Sequence, residues 1–176
     1  MDSSHPAFER TFTANYPAMM AYFRRRCATP EDAEDAATEV FAVAWRRRAE
    51  LPPAPEDRLW LFGVARRVLA NQVRGARRRD RLVERLRGAQ RPHERSDPAT
   101  GAALDVRRAL AALGPADREL LLLIGWEQLE VREAAAVLGL PAPLVSRRLY
   151  RARRRLAHLL DPPAAAPLPL TTETQP

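Results

Sequence analysis

Hydrophobic residues recur along this chain at intervals of three and four positions, the spacing that brings side chains onto one face of an α-helix. No segment of four or more residues alternates apolar and polar positions as a half-buried strand does. Glycine and proline cluster between the periodic segments, at residues 52–55, 88–101, 114–115, 139–143 and 161–176. The pattern predicts an all-α protein.

Three helical patterns fill the first half of the chain. The first has apolar residues between Phe8 and Phe23 and contains Pro17, which we expect to interrupt it or to start a turn. The second begins after Thr29, a predicted N-cap, with Pro30 at the first helical position. Its predicted buried stripe consists of Ala33, Ala36, Ala37, Val40, Phe41 and Ala44. The third runs from about 56 to 79, and its predicted apolar side consists of Trp60, Leu61, Val64, Ala65, Val68 and Val73.

Four more helical patterns lie in the second half, at 103–113, 115–124, about 130–138 and 142–160. In the last of them, apolar residues at helical spacing predict a buried face made of Val145, Leu149, Ala152, Leu156 and Leu159. A short apolar helix that ends at Gly139, a tight turn and a basic helix form the arrangement of a helix-turn-helix, whose second helix enters the DNA major groove. The alternative is an ordinary helical hairpin with a solvated basic face.

A polar segment broken by glycine and proline separates the two halves. Residues 85–101 are therefore predicted to be a flexible linker, and the proline-rich residues 161–176 a disordered tail. This organisation gives two small helical domains, at 6–84 and 102–160. About 20 flexible residues span typically about 25 Å and at most about 70 Å, so the domains could straddle one DNA turn of about 35 Å only with the linker extended.

The charge of the chain favours a polyanionic partner. All 29 basic residues are arginine, and the formal net charge is +7 with an isoelectric point near 10.9. Arginine suits phosphate and guanine because its planar fork donates two parallel hydrogen bonds. A membrane surface is less suitable, since the basic helices have few of the aromatic residues that interfacial helices present.

Other features bound the location and the chemistry. Cys27 is the single cysteine, so no internal disulfide can form, and no apolar stretch approaches 18 residues. The N-terminus lacks a signal pattern, and we therefore expect a soluble, cytoplasmic protein. The chain has no phosphate-cradling glycine loop and no Gly-x-Ser-x-Gly elbow, and its three histidines and Cys27 lack metal-ligand spacing. We expect no enzymatic activity, no metal and no cofactor.

Three blocks in this order resemble the extracytoplasmic-function sigma factors, the minimal bacterial sigma subunits with only regions 2 and 4. EDAEDAATEVFAVAWRR (31–47) resembles their core-binding helix, and DRLWLFGVARRVLANQVRGARRR (57–79) resembles their promoter-melting helix. Residues 109–156 resemble their whole C-terminal region. The resemblance covers most of residues 6–160. It implies that the chain catalyses nothing itself and lends promoter recognition to core RNA polymerase.

The resemblance assigns the acidic helix to core polymerase. Asp32, Asp35 and Glu39 are its candidate contacts to the clamp of the β′ subunit, with Phe41 mostly inside. An alternative is that these acids only complement the helix dipole and solubilise the surface. Thr38 stands where the family usually has glutamine, which weakens this contact.

The helix at 57–79 is assigned to the promoter −10 element. Its candidate contacts to DNA being opened are Arg66, Arg67, Asn71 and Arg74. Trp60 is expected in the core, whereas Phe62 is left open between the core and a platform on which an unpaired base stacks.

The C-terminal module is assigned to the −35 element as duplex DNA. Its candidate contacts are Leu144, Ser146, Arg147, Arg148 and Arg151. Residues 120–124 and Trp126 are expected in the module core, although the family docks this module on the flap of the β subunit. Glu130 replaces the usual serine or threonine cap, and Leu144 replaces a small hydroxyl residue, so the family's −35 preference should not be assumed.

Two other functions remain open at this point. A stand-alone helix-turn-helix regulator, usually a dimer, needs only residues 102–160 and leaves the resemblance over 31–79 unexplained. A sigma-like adaptor binds polymerase without directing initiation. The sigma factor hypothesis implies a chain that is monomeric when free, binds core RNA polymerase and promoter DNA, has an anti-sigma factor as a candidate partner, and does not insert into membranes.

Overall fold

The computed structural model describes residues 4–87 and 101–161, which form seven α-helices and no strand. The all-α prediction is confirmed. The helices are α1 (Ser4–Arg24), α2 (Pro30–Arg46), α3 (Glu56–Arg87), α4 (Ala102–Ala112), α5 (Pro115–Gly125), α6 (Val131–Leu138) and α7 (Ala142–Leu160), with a 3-10 turn at Arg48–Glu50. The start of the expected linker is helical, because α3 continues to Arg87. The rest of that linker, 88–100, and the tail from 162 lie outside the described residues.

The first three helices pack together around one apolar core. All six residues of the stripe predicted for α2 are buried. At the start of α2, the backbone N–H of Asp32 donates to Oγ1 of Thr29 at 3.1 Å, which confirms the predicted N-cap. The largest fully buried side chains of this unit are Met19, Tyr22, Phe23, Leu61 and Phe62.

Two expectations for this unit are wrong. The helix α1 runs through Pro17 without a break, because proline removes only one hydrogen bond while the residues that follow it, Met19 and Phe23, are buried against α2 and α3. Val73 is 42% exposed, whereas Val68, five residues earlier on α3, is buried. The apolar spacing continues along the helix further than the covering helices do.

The last four helices form a second unit. Residues 120–123 and the inner face of α7, made of Val145, Leu149 and Ala152, are buried together. Gly139 ends α6 with φ +66°, a left-handed conformation that glycine adopts without strain, and α7 begins three residues later. Trp126 was expected in the core and is 45% exposed, because it follows the last residue of α5 and lies in the loop.

The two units also contact each other. The helix α6 packs on α3, and polar side chains of α5 and the loop after it reach the C-terminal end of α1. None of the helices in the described ranges is long and apolar enough to cross a membrane.

Candidate nucleic-acid interface

The outward face of α7 combines exposed arginine with exposed apolar side chains. Leu144, Ser146, Arg147, Tyr150 and Arg151 line a shallow depression of about 660 Å³ on this face. Leu144 is 44% exposed and Tyr150 64% exposed, so neither serves the core of the unit. Four of the five predicted −35 contacts are therefore brought together, with Tyr150 as a neighbour that the sequence did not select.

The remaining predicted contact, Arg148, is engaged inside the unit. Its Nε donates to Oδ1 of Asp117 on α5 at 2.8 Å, and Nη1 of Arg155 donates to Oδ2 of the same carboxylate at 2.7 Å. Asp117 is buried, and the hydrogen bond from Arg148 is the main reason that its pKa lies below the ordinary carboxyl value. Asp117 thus fixes α7 to α5 through two arginines that are about two helical turns apart.

Local hydrogen bonds also position the start of the helix-turn-helix. The backbone N–H of Glu130 donates to Oε2 of Glu133 at 2.7 Å, so the first turn of α6 is capped although no serine or threonine is present. The hydroxyl of Ser146 donates to the carbonyl oxygen of Ala142 at 3.1 Å. That bond uses the Ser146 proton, which leaves its oxygen as an acceptor.

Three of the predicted −10 residues share one side of α3. Arg67, Asn71 and Arg74 follow one another at helical spacing and are exposed, and Arg74 donates a hydrogen bond to Oδ1 of Asn71. Arg66 is exposed on the neighbouring side, about 100° away around the helix. These side chains form a polar surface along α3 that is separate from its buried face.

The aromatic residues near this surface differ in burial. Phe62 is fully buried and its ring centroid lies 5.7 Å from that of Tyr22, so it belongs to the core and is not an accessible stacking platform. Trp60 was expected in the core and is half-buried, with the Arg47 guanidinium 5.6 Å from its ring centroid. It lines a cleft of about 350 Å³ between α3 and α6, together with Arg67 and Ala136.

The acidic side of α2 is open. Asp32, Asp35 and Glu39 are exposed, and Arg46 Nη2 lies 2.9 Å from Oε1 of Glu39. Phe41 is buried, as expected. The three acids thus lie on the helix surface away from its alanine-rich stripe, and the Glu39 carboxylate is paired with Arg46.

Sequence reasoning missed a polar network between the two units. Arg26 donates from Nε to Oε2 of Glu119 at 2.8 Å and from Nη1 to Oε1 of Glu127 at 2.8 Å. Arg25 Nη2 donates to Oε2 of Glu127 at 2.7 Å, and the Tyr22 hydroxyl donates to Oε1 of Glu119 at 3.1 Å. These partners are 93 to 102 residues apart in the chain, so no local spacing could have indicated them.

The network reaches α3 as well. Arg58 Nη2 donates to the backbone oxygen of Glu127 at 2.9 Å. Burial alone would lower the pKa of the Arg26 guanidinium, but Glu119, Tyr22 and Glu127 together more than offset this effect and the pKa is raised. Burial likewise raises the pKa of the Tyr22 phenol. Within the described residues, no group of three or more histidine, cysteine, aspartate or glutamate residues is placed to hold a metal ion.

Comparisons with known proteins agree with this architecture. The family Sigma-70 region 2 matches residues 11–79, and the family Sigma-70 region 4 matches residues 103–156. The RNA polymerase sigma-E factor of Streptomyces coelicolor is 31% identical, over 85% of this chain and 83% of its own length. The ECF RNA polymerase sigma factor SigC of Mycobacterium tuberculosis is also 31% identical, over 74% of this chain and 71% of its own.

A solved structure supports the same assignment. A chain in the co-crystal structure of the sigma factor RpoE with the anti-sigma factor NepR from Bartonella quintana superposes with a TM-score of 0.69 at 26% identity. The match covers 87% of this chain and 96% of that one. This chain belongs to the extracytoplasmic-function family of RNA polymerase sigma factors. As a sigma factor, it binds core RNA polymerase and promoter DNA and directs transcription initiation.

Proposed function

We propose that the chain divides promoter recognition between its two helical units and carries out no catalysis itself. The N-terminal domain (6–84) binds core polymerase and the −10 element, and the C-terminal domain (102–160) binds the −35 element. Residues 85–101, the first three of which continue α3, connect the two domains. The protein works in the cytoplasm as a monomer that joins core polymerase, with no metal or cofactor.

The exposed face of α7 is the observation that supports −35 binding most directly. Arg147 and Arg151 are exposed one turn apart on the second helix of a helix-turn-helix, the helix that such folds insert into the major groove. A bidentate arginine–guanine pair is worth about 1–3 kcal/mol of discrimination. Leu144 and Ser146 lie nearest the base edges at the start of the helix, and Arg148 turns its terminal nitrogens to a phosphate while Asp117 holds its Nε.

The polar side of α3 serves the −10 element. Arg67, Asn71 and Arg74 follow the phosphate backbone of the strand being opened, and Arg66 contributes from the neighbouring side. Opening the duplex costs a few kcal/mol per unstacked base, and phosphate contacts along α3 offset that cost. The half-buried Trp60, at the start of the same side, is better placed than Phe62 to stack on a base.

Core polymerase is bound through the acidic side of α2. Asp32, Asp35 and Glu39 pair with basic groups on the β′ clamp, and the C-terminal domain docks on the β flap. The RpoE chain that resembles this one was crystallised with an anti-sigma factor. By that likeness we include an anti-sigma factor among the partners of this chain.

Run-off transcription over genomic fragments tests the proposal, with purified core polymerase in the presence and absence of the protein. We expect defined start sites that appear only when the protein is added. Without new start sites, co-purification with core would separate the alternatives. A chain that binds core without directing initiation is an adaptor, and one that binds duplex DNA but not core is a stand-alone regulator.

A further inference from the structure

Three arginines of the N-terminal unit converge on one point of its surface. Arg25 and Arg26 directly follow α1, and Arg58 lies in the first turn of α3. The Arg26 guanidinium stacks on the Tyr22 ring at 3.6 Å from the centroid, and Tyr22 is itself fully buried. The core of the unit therefore holds Arg26 in place, which makes the cluster a preorganised anion site.

Two carboxylates of the C-terminal unit occupy this site. Glu119 and Glu127 face the three arginines, and the side chains of Arg26 and Glu127 are only 4% and 3% exposed. The cations outnumber the carboxylates. Arg25 Nε and Arg26 Nη2 are buried and make no hydrogen bond within the described part of the chain. The carboxylates thus leave part of the donor capacity of the site unused.

A buried network of this kind can exchange its carboxylates for another anion. The attraction between buried ions is largely offset by the cost of removing them from water, so the network fixes a geometry while adding little net stability. The guanidinium group of arginine donates to a phosphate as readily as to a carboxylate. A competing polyanion can therefore take the place of Glu119 and Glu127 with little change in free energy.

The C-terminal unit that fills this site also lies against the DNA-binding side of α3. Arg58 and Arg67 lie on the same helix, and Arg67 lines the cleft that α6 covers with Ala136. We call this packing of α5 and α6 on α1 and α3 the closed arrangement. It covers both the arginine cluster and the first part of the proposed −10 surface. Arg58 and Arg67 are nine residues apart and therefore lie on opposite sides of α3, so a DNA strand that follows the helix from Arg74 must pass around it to reach the cluster.

We propose that the cluster of Arg25, Arg26 and Arg58 is a phosphate site for promoter DNA, which Glu119 and Glu127 occupy as phosphate mimics in the closed arrangement. DNA and the C-terminal unit then compete for one site, and binding of the −10 strand releases that unit towards the −35 element. The inference rests on the proposed −10 function of α3. It adds contacts that the family resemblance did not assign.

The first experiment opens the closed arrangement in the full-length chain. Glu119→Gln/Glu127→Gln keeps side-chain size and leaves the three arginines without counter-charges, so we expect a larger radius of gyration in small-angle X-ray scattering. Affinity for a fluorescein-labelled single-stranded −10 oligonucleotide should rise about tenfold, because the competent fraction rises. The matched control is Glu34→Gln/Asp105→Asn, which removes the same charge from exposed positions.

The second experiment assigns the phosphate contact in the opened background. Adding Arg26→Gln to Glu119→Gln/Glu127→Gln should lower affinity for the oligonucleotide and reduce the slope of log affinity against log salt by about 0.7, the value for one single-strand phosphate contact. Arg10→Gln in the same background is the control, since Arg10 is exposed on the first half of α1. It should change affinity less than Arg26→Gln does.

The proposal would be overturned if the opened variant kept the wild-type radius of gyration, if its affinity matched that of the charge control, or if Arg26→Gln behaved as Arg10→Gln does. Arg26-dependent binding of polyglutamate without Arg26-dependent binding of DNA would assign the site to an acidic polypeptide instead. Run-off transcription by the wild-type chain is measured separately, so failure of the sigma function is distinguishable from failure of the phosphate site.

Discussion

Arg147 and Arg151 are the two exposed residues that we propose to read the −35 element. Both are exposed on α7, whose inner face is fixed in the core by Val145, Leu149 and Ala152. Their positions therefore depend on the packing of the helix, and their substitution should leave that packing intact. Variants at these two positions therefore test DNA recognition without disturbing the packing of the helix.

We predict that Arg147→Ala and Arg151→Ala each lower promoter-specific transcription about five- to 140-fold, since a bidentate pair contributes about 1–3 kcal/mol. Run-off assays at a promoter identified with the wild-type chain measure the effect. Arg153→Ala is the control, because Arg153 is exposed on another side of the same helix. Loss of core affinity in either variant would contradict the proposed division of labour.

Asp117 is a single residue that stabilises the packing of α7 on α5. Its pKa is lowered, chiefly by the hydrogen bond from Arg148, so the unfolded chain binds a proton at this site more readily than the folded one. The stabilisation is complete above the ordinary carboxyl pKa of about 4 and is lost as the pH falls through the lower native value. It is therefore greatest near neutral pH.

We predict that Asp117→Asn lowers the free energy of unfolding by about 1 kcal/mol near pH 7, a value reduced for the solvent exposure of both arginines. The difference from wild type should shrink as the pH is lowered below 4. Urea unfolding at several pH values measures it, with the exposed Asp105→Asn as control. A difference that does not depend on pH would show that the charge of Asp117 is not the source.

At the scale of the element, α2 has one buried apolar side and one exposed acidic side. Its alanine-rich stripe packs inside, while Asp32, Asp35 and Glu39 face outward on one side. We predict that Asp35→Arg weakens binding to core polymerase with the fold intact, because it places a cation opposite basic groups of the clamp. Biolayer interferometry with immobilised core measures the loss, which we expect to be about tenfold, the equivalent of about 1.4 kcal/mol.

Glu34→Arg is the matched control for α2. Glu34 is exposed on the other flank of the helix and makes the same change of charge on substitution. It should leave core affinity close to that of the wild type. Equal losses from both variants would mean that core responds to net charge alone, and unchanged affinity for Asp35→Arg would remove Asp35 from the contact surface.

The turn between α6 and α7 depends on one backbone conformation. Gly139 has φ +66°, and a Cβ atom there would meet no neighbour within 4 Å, so the cost of substitution is conformational and not steric. We predict that Gly139→Ala destabilises the chain by about 1–2 kcal/mol in urea unfolding. Gly125→Ala, with equally open space and no positive φ, should be near neutral. Equal effects would place the cost elsewhere.

At the scale of the whole molecule, the helical units combine two requirements. In the proposed function they bind two separate DNA elements, and they also pack against each other through α3 and α6. The polar network at Glu119 and Glu127 reconciles the two, since ion pairs can exchange partners more readily than an apolar interface can. In our proposal, the −10 strand displaces Glu119 and Glu127 from the phosphate site, which favours separation of the two units.

The sequence by itself determined most of the local structure. Helical periodicity, Thr29 as a cap and Gly139 as a helix end depend on residues a few positions apart, and all were predicted correctly. The exposed arginines of α7 followed from the same periodicity, because a buried stripe defines the opposite face. Local interactions of this kind are encoded in spacing, which is why the helix-turn-helix could be recognised without coordinates.

Only the tertiary structure decided which side chains are covered and by what. Phe62 is buried, Trp126 is exposed and Val73 lies beyond the covered part of α3, although all three have apolar side chains. Arg148 looked free on the basic face until Asp117 was placed 2.8 Å from its Nε. Arg26 binds the carboxylates of Glu119 and Glu127, which are about a hundred residues away in the chain. Burial and ion pairing depend on contacts between distant segments, and hydrophobic periodicity within one helix carries no information about them.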